Sequence, residues 1–389
     1  MIIYNKTWLA NLLVIDSVEQ EQKEGLVPED ELQNVRNKYL VEFYSPNFFI
    51  RVGLFVLTAI VSAFSMGLFS LILSGADIID TFGWLLFLGI ANYIALEVTV
   101  QAKHHFRSGV DDALLYISAG LLAVAFGLMI DPGNTFHPGA ISAFVLLLTS
   151  VLAIRFTDWL MALVAYLAGF ATVFYAWQQI GSFGIATMPF VLLVLSFAIY
   201  KLVNSNLTNP KTLFYANCLT ILQIAALVTL YLSANYFVVK ELGDELNGTI
   251  SKTIPLAWFF WGWTMALPFV YIVFGLKKKN TILLRTGLLL ILAAAITFKN
   301  YHHVLPIEVT LIICGTLALA ISYFVTRYLR TPKNGFIYQE LNTVDLMDQL
   351  KIESLIISES FADTGAAPAA NDEVFGGGHF GGGGATSSF

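Results

Sequence analysis

The sequence predicts an all-α membrane protein: a polytopic bundle of about ten spans, with a short N-terminal helical region and a partly disordered C-terminal tail. Two observations predict this class. Only 12% of the 389 residues are charged, about half the share in soluble domains, and the mean hydropathy is +0.72. Apolar runs of about 20 residues, the length that crosses a bilayer, recur along the chain.

Residues 1–47 predict a cytoplasmic helical region of three short helices. The first covers residues 5–15, the second is capped by Ser17 and ends at Gly25, and the third covers residues 28–43. The first residues lack the basic segment and long apolar core of a signal peptide, so we expect the first span to direct insertion.

Residues 48–330 predict the transmembrane bundle. The boundary between the fourth and fifth spans depends on a single break in the apolar sequence, Arg155-Phe-Thr-Asp158. The predicted spans cover residues 48–73, 82–101, 110–130, 139–155, 158–178, 184–203, 213–237, 256–276, 281–299 and 306–327.

The distribution of basic residues predicts the orientation. With the N-terminus in the cytoplasm, twelve Lys and Arg residues of the bundle fall on the cytoplasmic side and three on the other. The positive-inside rule therefore favours ten spans with both termini cytoplasmic. The three cations on the outer side are Lys240, Lys252 and Lys299.

Both ends of the chain are acidic. Residues 1–50 hold 4 basic and 8 acidic residues, and residues 331–389 hold 2 and 8. Residues 331–360 predict an amphipathic cytoplasmic helix, and residues 361–389 a disordered Gly-rich tail. The predicted partners are the lipid bilayer and proteins that bind these acidic ends, and the net charge of −6 argues against nucleic acid.

Ionisable side chains are densest, within the apolar part of the chain, between residues 97 and 116. The spacing matches no metal signature, and the sequence predicts neither a metal site nor a cofactor. The candidate polar path consists of Glu97, Asp112, Asp111 and Asn92. The candidate inner-face cluster consists of His104, His105, Arg107, Arg51 and Arg285.

Two interpretations of this stretch stay open. Glu97, His105 and Asp112 form a proton relay or a hard-metal site, since ionisable groups in membranes are costly and often functional. Alternatively the loop is solvated, and the two aspartates favour the N-terminus of the next helix. Arg51 and Arg285 lie in similar apolar segments, as in an internal repeat, or simply extend to the lipid headgroups.

Two segments resemble a known family. GLVPEDELQNVRNKYLVEFYSPNFFIRVGLFVLTAIV (25–61) and SGVDDALLYISAG (108–120) resemble bacterial polytopic membrane proteins of the DUF2157/DUF4401 type. The terminal FGGGHFGGGGATSSF resembles the tails of bacterial TPM-domain membrane proteins. The resemblance implies a bacterial inner-membrane protein and transfers no activity and no catalytic residues.

Two classes of function follow as hypotheses. One is transport or permeation of a small solute or ion, with Glu97, Asp112 and Asn92 lining the inner half of the bundle. The other is a membrane scaffold or assembly component that acts through its cytoplasmic ends. An enzyme ranks third, because the sequence contains no P-loop, G-x-S-x-G, H-E-x-x-H or dinucleotide motif.

Overall fold

The computed structural model describes residues 2–23, 25–73, 81–130, 137–207, 209–248 and 254–301, and single positions between Val309 and Arg327. These residues form helices, one isolated β-bridge and no strand. The helices are α1 (Lys6–Lys23), α2 (Glu29–Lys38), α3 (Phe48–Ile72), α4 (Phe82–Lys103), α5 (Val110–Ile130), α6 (Pro138–Phe156), α7 (Trp159–Gln178), α8 (Ser182–Leu207), α9 (Ala216–Leu232), α10 (Tyr236–Asn247), α11 (Ala257–Lys278) and α12 (Thr281–Tyr301).

Nine of the helices in these ranges are long and apolar enough to cross a membrane: α3 to α8, the segment Lys211–Leu232 that contains α9, α11 and α12. The predicted all-α membrane class is therefore confirmed, and the chain is an integral membrane protein. In the tenth predicted span the single described positions are helical. Residues 331–389 lie outside the described residues.

The break predicted between the fourth and fifth spans is present. Helix α6 ends at Phe156, and Thr157 adopts a left-handed conformation with φ +50°. Asp158 then caps α7, because its Oδ1 accepts the backbone N–H of Met161 at 2.7 Å. This two-residue junction, Thr157 and Asp158, reverses the chain and fixes a carboxylate at the end of the bundle.

The N-terminal region contains two helices, where the sequence predicted three. Ser17 does not cap a helix: it lies inside α1, and its hydroxyl donates to the Leu13 carbonyl at 2.8 Å. Helix-forming residues on both sides of Ser17 outweigh its preference for a cap. Helix α2 ends at Lys38, earlier than predicted, and an irregular segment leads to α3, which Asn47 caps.

The seventh span and the loop after it also differ from the prediction. The sequence predicted a span to residue 237 and then a long loop. Instead α9 ends at Leu232, and Asn235 caps a new helix, α10, by accepting the N–H groups of Phe237 and Val238 at 3.0 and 3.3 Å. The apolar residues that follow Asn235 hid this cap, because they continue the hydropathy of α9.

Helices that are adjacent in sequence pack as hairpins, namely α4 with α5, α6 with α7, α8 with α9, and α11 with α12. The two largest of three buried clusters in the described part of the chain join most of the membrane helices. One joins α1, α4, α5, α6, α7 and the start of α9, and the other joins α8, α9, α11 and α12. Helix α9 contributes to both clusters and is the central element of the bundle.

One end of the bundle is covered by the N-terminal region, and we call it the capped end. The backbone N–H of Ile3 donates to the Arg155 carbonyl at 3.1 Å, at the end of α6. Tyr44 forms a parallel β-bridge with His105, in the loop between α4 and α5. Both contacts draw the segments that flank α1 and α2 onto the ends of the membrane helices.

Candidate functional site

The loop between α4 and α5 (residues 104–109) is the first component of the site. His104, Arg107 and Gly109 adopt left-handed conformations, with φ of +54°, +50° and +91°. Asp111 holds this loop, because its Oδ2 accepts the N–H of Arg107 and its Oδ1 accepts the N–H of Ser108, both at 2.8 Å. The Asp111 carboxylate thus accepts hydrogen bonds from the backbone of the strained turn that directly precedes its own helix, α5.

Gly109 brings this loop against α3. A Cβ atom at this position would overlap the carbonyl oxygen of Arg51 and lie 2.9 Å from the backbone nitrogen of Phe55. Only glycine combines the positive φ with this close approach. The start of α5 is therefore fixed directly beside the backbone of α3.

The same contact places Asp112 beside the side chain of Arg51. Asp112 Oδ2 lies 2.7 Å from Nη2 and 2.9 Å from Nε of Arg51. The Asp112 residue is only 7% exposed. This ion pair joins α3 to α5 and neutralises one buried carboxylate.

Asp158, which caps α7, is the third buried carboxylate. Its Oδ2 accepts the hydroxyl of Tyr116 at 3.1 Å. Burial raises the pKa of the Asp158 carboxyl, an effect that the Met161 N–H, the Tyr116 hydroxyl and the positive charge of Arg107 partly offset. Asp158 therefore takes up a proton more readily than a surface carboxylate.

The three aspartates line one small cavity at the capped end. Arg107 and Tyr4 also line it, and Leu96, Leu115, Phe156 and Thr157 complete its wall. The cavity has room for about one water molecule. With Arg51 and Arg107 beside three carboxylates, the site has one carboxylate in excess, and binding of one proton neutralises it.

Aromatic side chains cover the cavity. The Tyr4 ring meets the rings of Phe43, Phe106 and Phe156 edge-on, at centroid distances of 6.0, 4.9 and 6.4 Å. Burial raises the pKa of Tyr4 well above its ordinary value, and the nearby carboxylates Asp111 and Asp112 add to this shift. The hydroxyl of Tyr4 therefore stays neutral.

A chain of three side chains leads from the loop surface to the cavity. His105 Nδ1 lies 2.6 Å from the Ser108 hydroxyl, which donates to Asp111 Oδ1 at 2.8 Å. Because Ser108 donates to Asp111, His105 donates through Nδ1. Burial lowers the pKa of His105, opposed by Asp111 and assisted by Lys103. The ring therefore favours its neutral form, in which Nε2 is free to accept a proton.

Glu97 and Asn92 lie outside this cavity. Glu97 Oε1 pairs with Arg155 Nη2 at 2.6 Å and accepts the Tyr93 hydroxyl at 2.5 Å. Asn92 accepts the Ser62 hydroxyl at 2.7 Å, between α3 and α4. Glu97 follows Asn92 by five positions, an offset that turns the two side chains to different faces of α4. The structure thus joins Asp111 and Asp112 in one site and places Glu97 and Asn92 in two separate helix contacts.

The candidate cluster of histidines and arginines is also divided. His104 packs edge-on against Trp8, with ring centroids 4.9 Å apart. Arg107 lines the cavity and extends to α9, where the amide oxygen of Asn217, in the orientation that satisfies both groups, accepts from Nη2 and Nη1 at 2.7 and 3.0 Å. Arg285 is exposed on α12, away from the cavity.

Three residues of the site were not candidates from the sequence. Asp158 could have been found from the sequence, because an Asp directly before an apolar run is a preferred N-cap of a helix. Ser108 and Tyr4 carried none, since their roles depend on contacts made by the fold. Among the described residues no three His, Cys, Asp or Glu side chains lie close enough together to hold a metal ion.

Comparisons with protein-family models, with curated proteins and with solved structures gave no match for this chain.

Proposed function

We propose that this integral membrane protein conducts a small ion across the bilayer, and that the ion is the proton. The observation that carries the proposal is the chain from His105 through Ser108 to Asp111, which ends at a cavity with three buried aspartates. Carboxylates and histidines joined by hydrogen bonds are the usual elements of proton relays in membranes.

Two features of the site favour a proton over a larger solute. The cavity admits about one water molecule, which excludes an organic substrate in the conformation that the structure shows. The excess of one carboxylate over the neighbouring guanidiniums makes uptake of a single positive charge favourable. The aromatic cover formed by Tyr4 and its neighbours shields this charge from bulk water.

Proton flux into liposomes tests the proposal. Purified protein is reconstituted with a pH-sensitive dye inside, and a potassium gradient with valinomycin drives proton entry. We expect Ser108→Ala, which breaks the chain, and Asp158→Asn to lower the flux by at least about tenfold. Glu31→Gln, on the exposed first turn of α2, is the matched control and leaves the flux unchanged. Wild-type flux equal to that of protein-free liposomes would refute the proposal.

The alternative is a membrane scaffold that binds partners through its ends. The exposed acidic first turn of α2, with Glu29, Asp30 and Glu31, favours this alternative. Deletion of residues 360–389 then removes proteins that co-purify with the full chain, while the bundle stays folded. An unchanged set of co-purifying proteins argues against it.

We also propose a bacterial inner membrane with both termini in the cytoplasm, which the distribution of basic residues supports. Single cysteines at the exposed positions Asn37 and Asn247, in a background without Cys218 and Cys314, report the orientation through an impermeant maleimide. In right-side-out vesicles we expect labelling at position 247 and none at position 37. The opposite pattern would invert the topology.

A further inference from the structure

The turn between α11 and α12 carries the only run of three consecutive basic residues in the sequence. Lys277, Lys278 and Lys279 are all exposed, and Arg285 is exposed on the second turn of α12. The sequence contains no Asp or Glu between residues 246 and 307. The hairpin of α11 and α12 therefore has no carboxylate of its own to balance these charges.

Contacts with α9 place this turn at the capped end of the bundle. Helix α9 starts at that end, where Arg107 bonds to its first turn. The Tyr271 hydroxyl of α11 donates to the Leu227 carbonyl, midway along α9, at 3.0 Å. Asn235, beyond the other end of α9, donates to Thr297 of α12 at 3.2 Å. Helix α11 thus runs towards the capped end, and α12 runs away from it.

The two halves of the capped end differ in charge. In the half formed by α3 to α7, Asp112 and Glu97 pair with arginines, and Tyr4 of the N-terminal region packs on the buried cluster. Helices α8, α9, α11 and α12 contain no Asp or Glu, and their buried cluster includes no residue of the N-terminal region within the described ranges. Their half carries only cations towards this end: Lys201, Lys211, Lys277, Lys278, Lys279 and Arg285.

An exposed apolar surface continues directly from the lysines of the turn. Lys278 Nζ lies 6.0 Å from the centroid of the Phe274 ring, one turn earlier on α11. Phe274 and Val273 are each 49% exposed, and Leu288 on α12 is 47% exposed. In a bilayer such side chains face the acyl chains, which places the ammonium groups at the level of the headgroups. A phosphate that is joined to acyl chains matches both surfaces.

We propose that the turn between α11 and α12 binds an anionic phospholipid, whose phosphate contacts Lys277 and Lys278 and whose acyl chains lie along α11. An anionic headgroup fits these cations better than a zwitterionic one, because the ammonium group of a zwitterionic lipid offsets the attraction of its phosphate. Each basic residue at the membrane surface adds to the binding of anionic lipids. The two lysines do not line the cavity of the three aspartates, so this site does not depend on proton conduction.

Native mass spectrometry of the purified full chain tests this site. Delipidated protein is titrated with dioleoylphosphatidylglycerol and with dioleoylphosphatidylcholine, and the Kd of the first bound lipid is measured for each. We expect phosphatidylglycerol to bind at least about tenfold more tightly than phosphatidylcholine. The double variant Lys277→Gln/Lys278→Gln should lose most of this preference, while its affinity for phosphatidylcholine stays the same.

Two matched variants separate a local site from an effect of net charge or of folding. Lys23→Gln/Lys38→Gln removes the same charge from exposed positions of α1 and α2 and should keep the wild-type preference. Lys277→Arg/Lys278→Arg keeps the charge of the turn and should also keep the preference. An unchanged preference in the glutamine variant of the turn, or an equal loss in the variant of α1 and α2, would overturn the proposal.

Competition identifies the occupant of the surface. Inorganic phosphate and glycerophosphoglycerol, which is the headgroup without acyl chains, should not displace the lipid at equal concentration. A synthetic peptide of residues 340–373, from the acidic C-terminal end, should not displace it either. Displacement by the small anions would assign the turn to a soluble anion, and displacement by the peptide would assign it to an acidic protein segment. Either result would contradict a lipid site.

Discussion

The capped end of the bundle and the interior around α9 both bury polar side chains, but of different kinds. The capped end buries carboxylates and guanidiniums, among them Asp112 with Arg51. The interior around α9 buries amides and hydroxyls, among them Gln223 and Thr264. The charged groups lie at helix ends and in a loop, where backbone N–H groups are available to them. Arg51, the partner of Asp112, also keeps 34% of its side chain exposed to solvent. The comparison teaches that this bundle keeps its charges at the helix ends and places neutral groups where no water reaches, since an isolated charge costs far more to bury than a hydroxyl.

The largest effect is expected where the charged end depends on the backbone. Gly109→Ala places a Cβ against the Arg51 carbonyl and strains a positive φ, so we expect a loss of about 3 kcal/mol or more, or failure to fold. Gly53→Ala is the control, because Gly53 lies in α3 with open space around it, and it should be neutral or slightly stabilising. Thermal unfolding in detergent measures both. Equal stability of the two variants would show that the loop moves away from α3 without cost.

A smaller loss is expected for the buried ion pair. Arg51→Ala leaves Asp112 unpaired, and we expect a loss of about 2 to 3 kcal/mol, less than for a fully buried pair because Arg51 is partly exposed. Arg36→Ala, which breaks the exposed pair with Glu19, should cost at most about 1 kcal/mol. Chemical unfolding of both variants measures the two losses of stability. If Arg51→Ala costs no more than Arg36→Ala, the pair at the capped end behaves like a surface pair.

The neutral interior should respond less strongly. Thr264 Oγ1 accepts the N–H of Tyr236 at 3.0 Å, at the start of α10, so Thr264→Val leaves that donor without its partner and costs about 1 to 2 kcal/mol. Thr149 is also buried, but its hydroxyl donates only to the Val145 carbonyl of its own helix. Thr149→Val should therefore be close to neutral. Similar melting temperatures for both variants would contradict a bridging role for Thr264.

The smallest expected effect is on the pH dependence of stability. Burial lowers the pKa of His105 below its ordinary value of 6.5, so the folded state binds this proton less readily than the unfolded state. The contribution of His105 is full above pH 6.5 and is lost as the pH falls towards the folded pKa. His105→Gln should flatten this decline, whereas His137→Gln, at an exposed position, should not. Melting temperatures between pH 7.5 and pH 5 report the slope, and parallel curves for wild type and His105→Gln would refute the assignment.

The membrane helices could be predicted from the sequence because hydropathy is a local property of about 20 residues. Helix boundaries could also be predicted where a residue such as Asp158 or Asn47 interrupts an apolar run and caps the next helix. Helix α10 was missed because its cap, Asn235, is followed by Tyr-Phe-Val-Val, which reads as a continued span. The division of α1 at Ser17 was wrong because a serine can also bond within its own helix.

The site could be predicted only in part. The density of charge between residues 97 and 116 indicated a region in which Asp111, Asp112 and Arg107 line one cavity. The partners of these residues come from distant parts of the chain, as Tyr4, Arg51 and Asp158 do, and no periodicity connects them. The pairing of Glu97 with Arg155 likewise depends on how α4 packs against α6. The spacing of residues in the sequence does not define that packing.

The contacts of the N-terminal region also constrain the order of assembly. Ile3 is synthesised before Arg155, yet its N–H donates to the Arg155 carbonyl, and Tyr4 packs on Phe156, at the end of the fourth membrane helix. The segment that contains Ile3 and Tyr4 must therefore wait, outside its final position, until four helices have entered the membrane. A nascent chain stalled before α6 lacks Arg155 and Phe156, so the Tyr4 ring should lie in a different environment from that in the finished protein. Closure of the capped end is therefore a late event of synthesis.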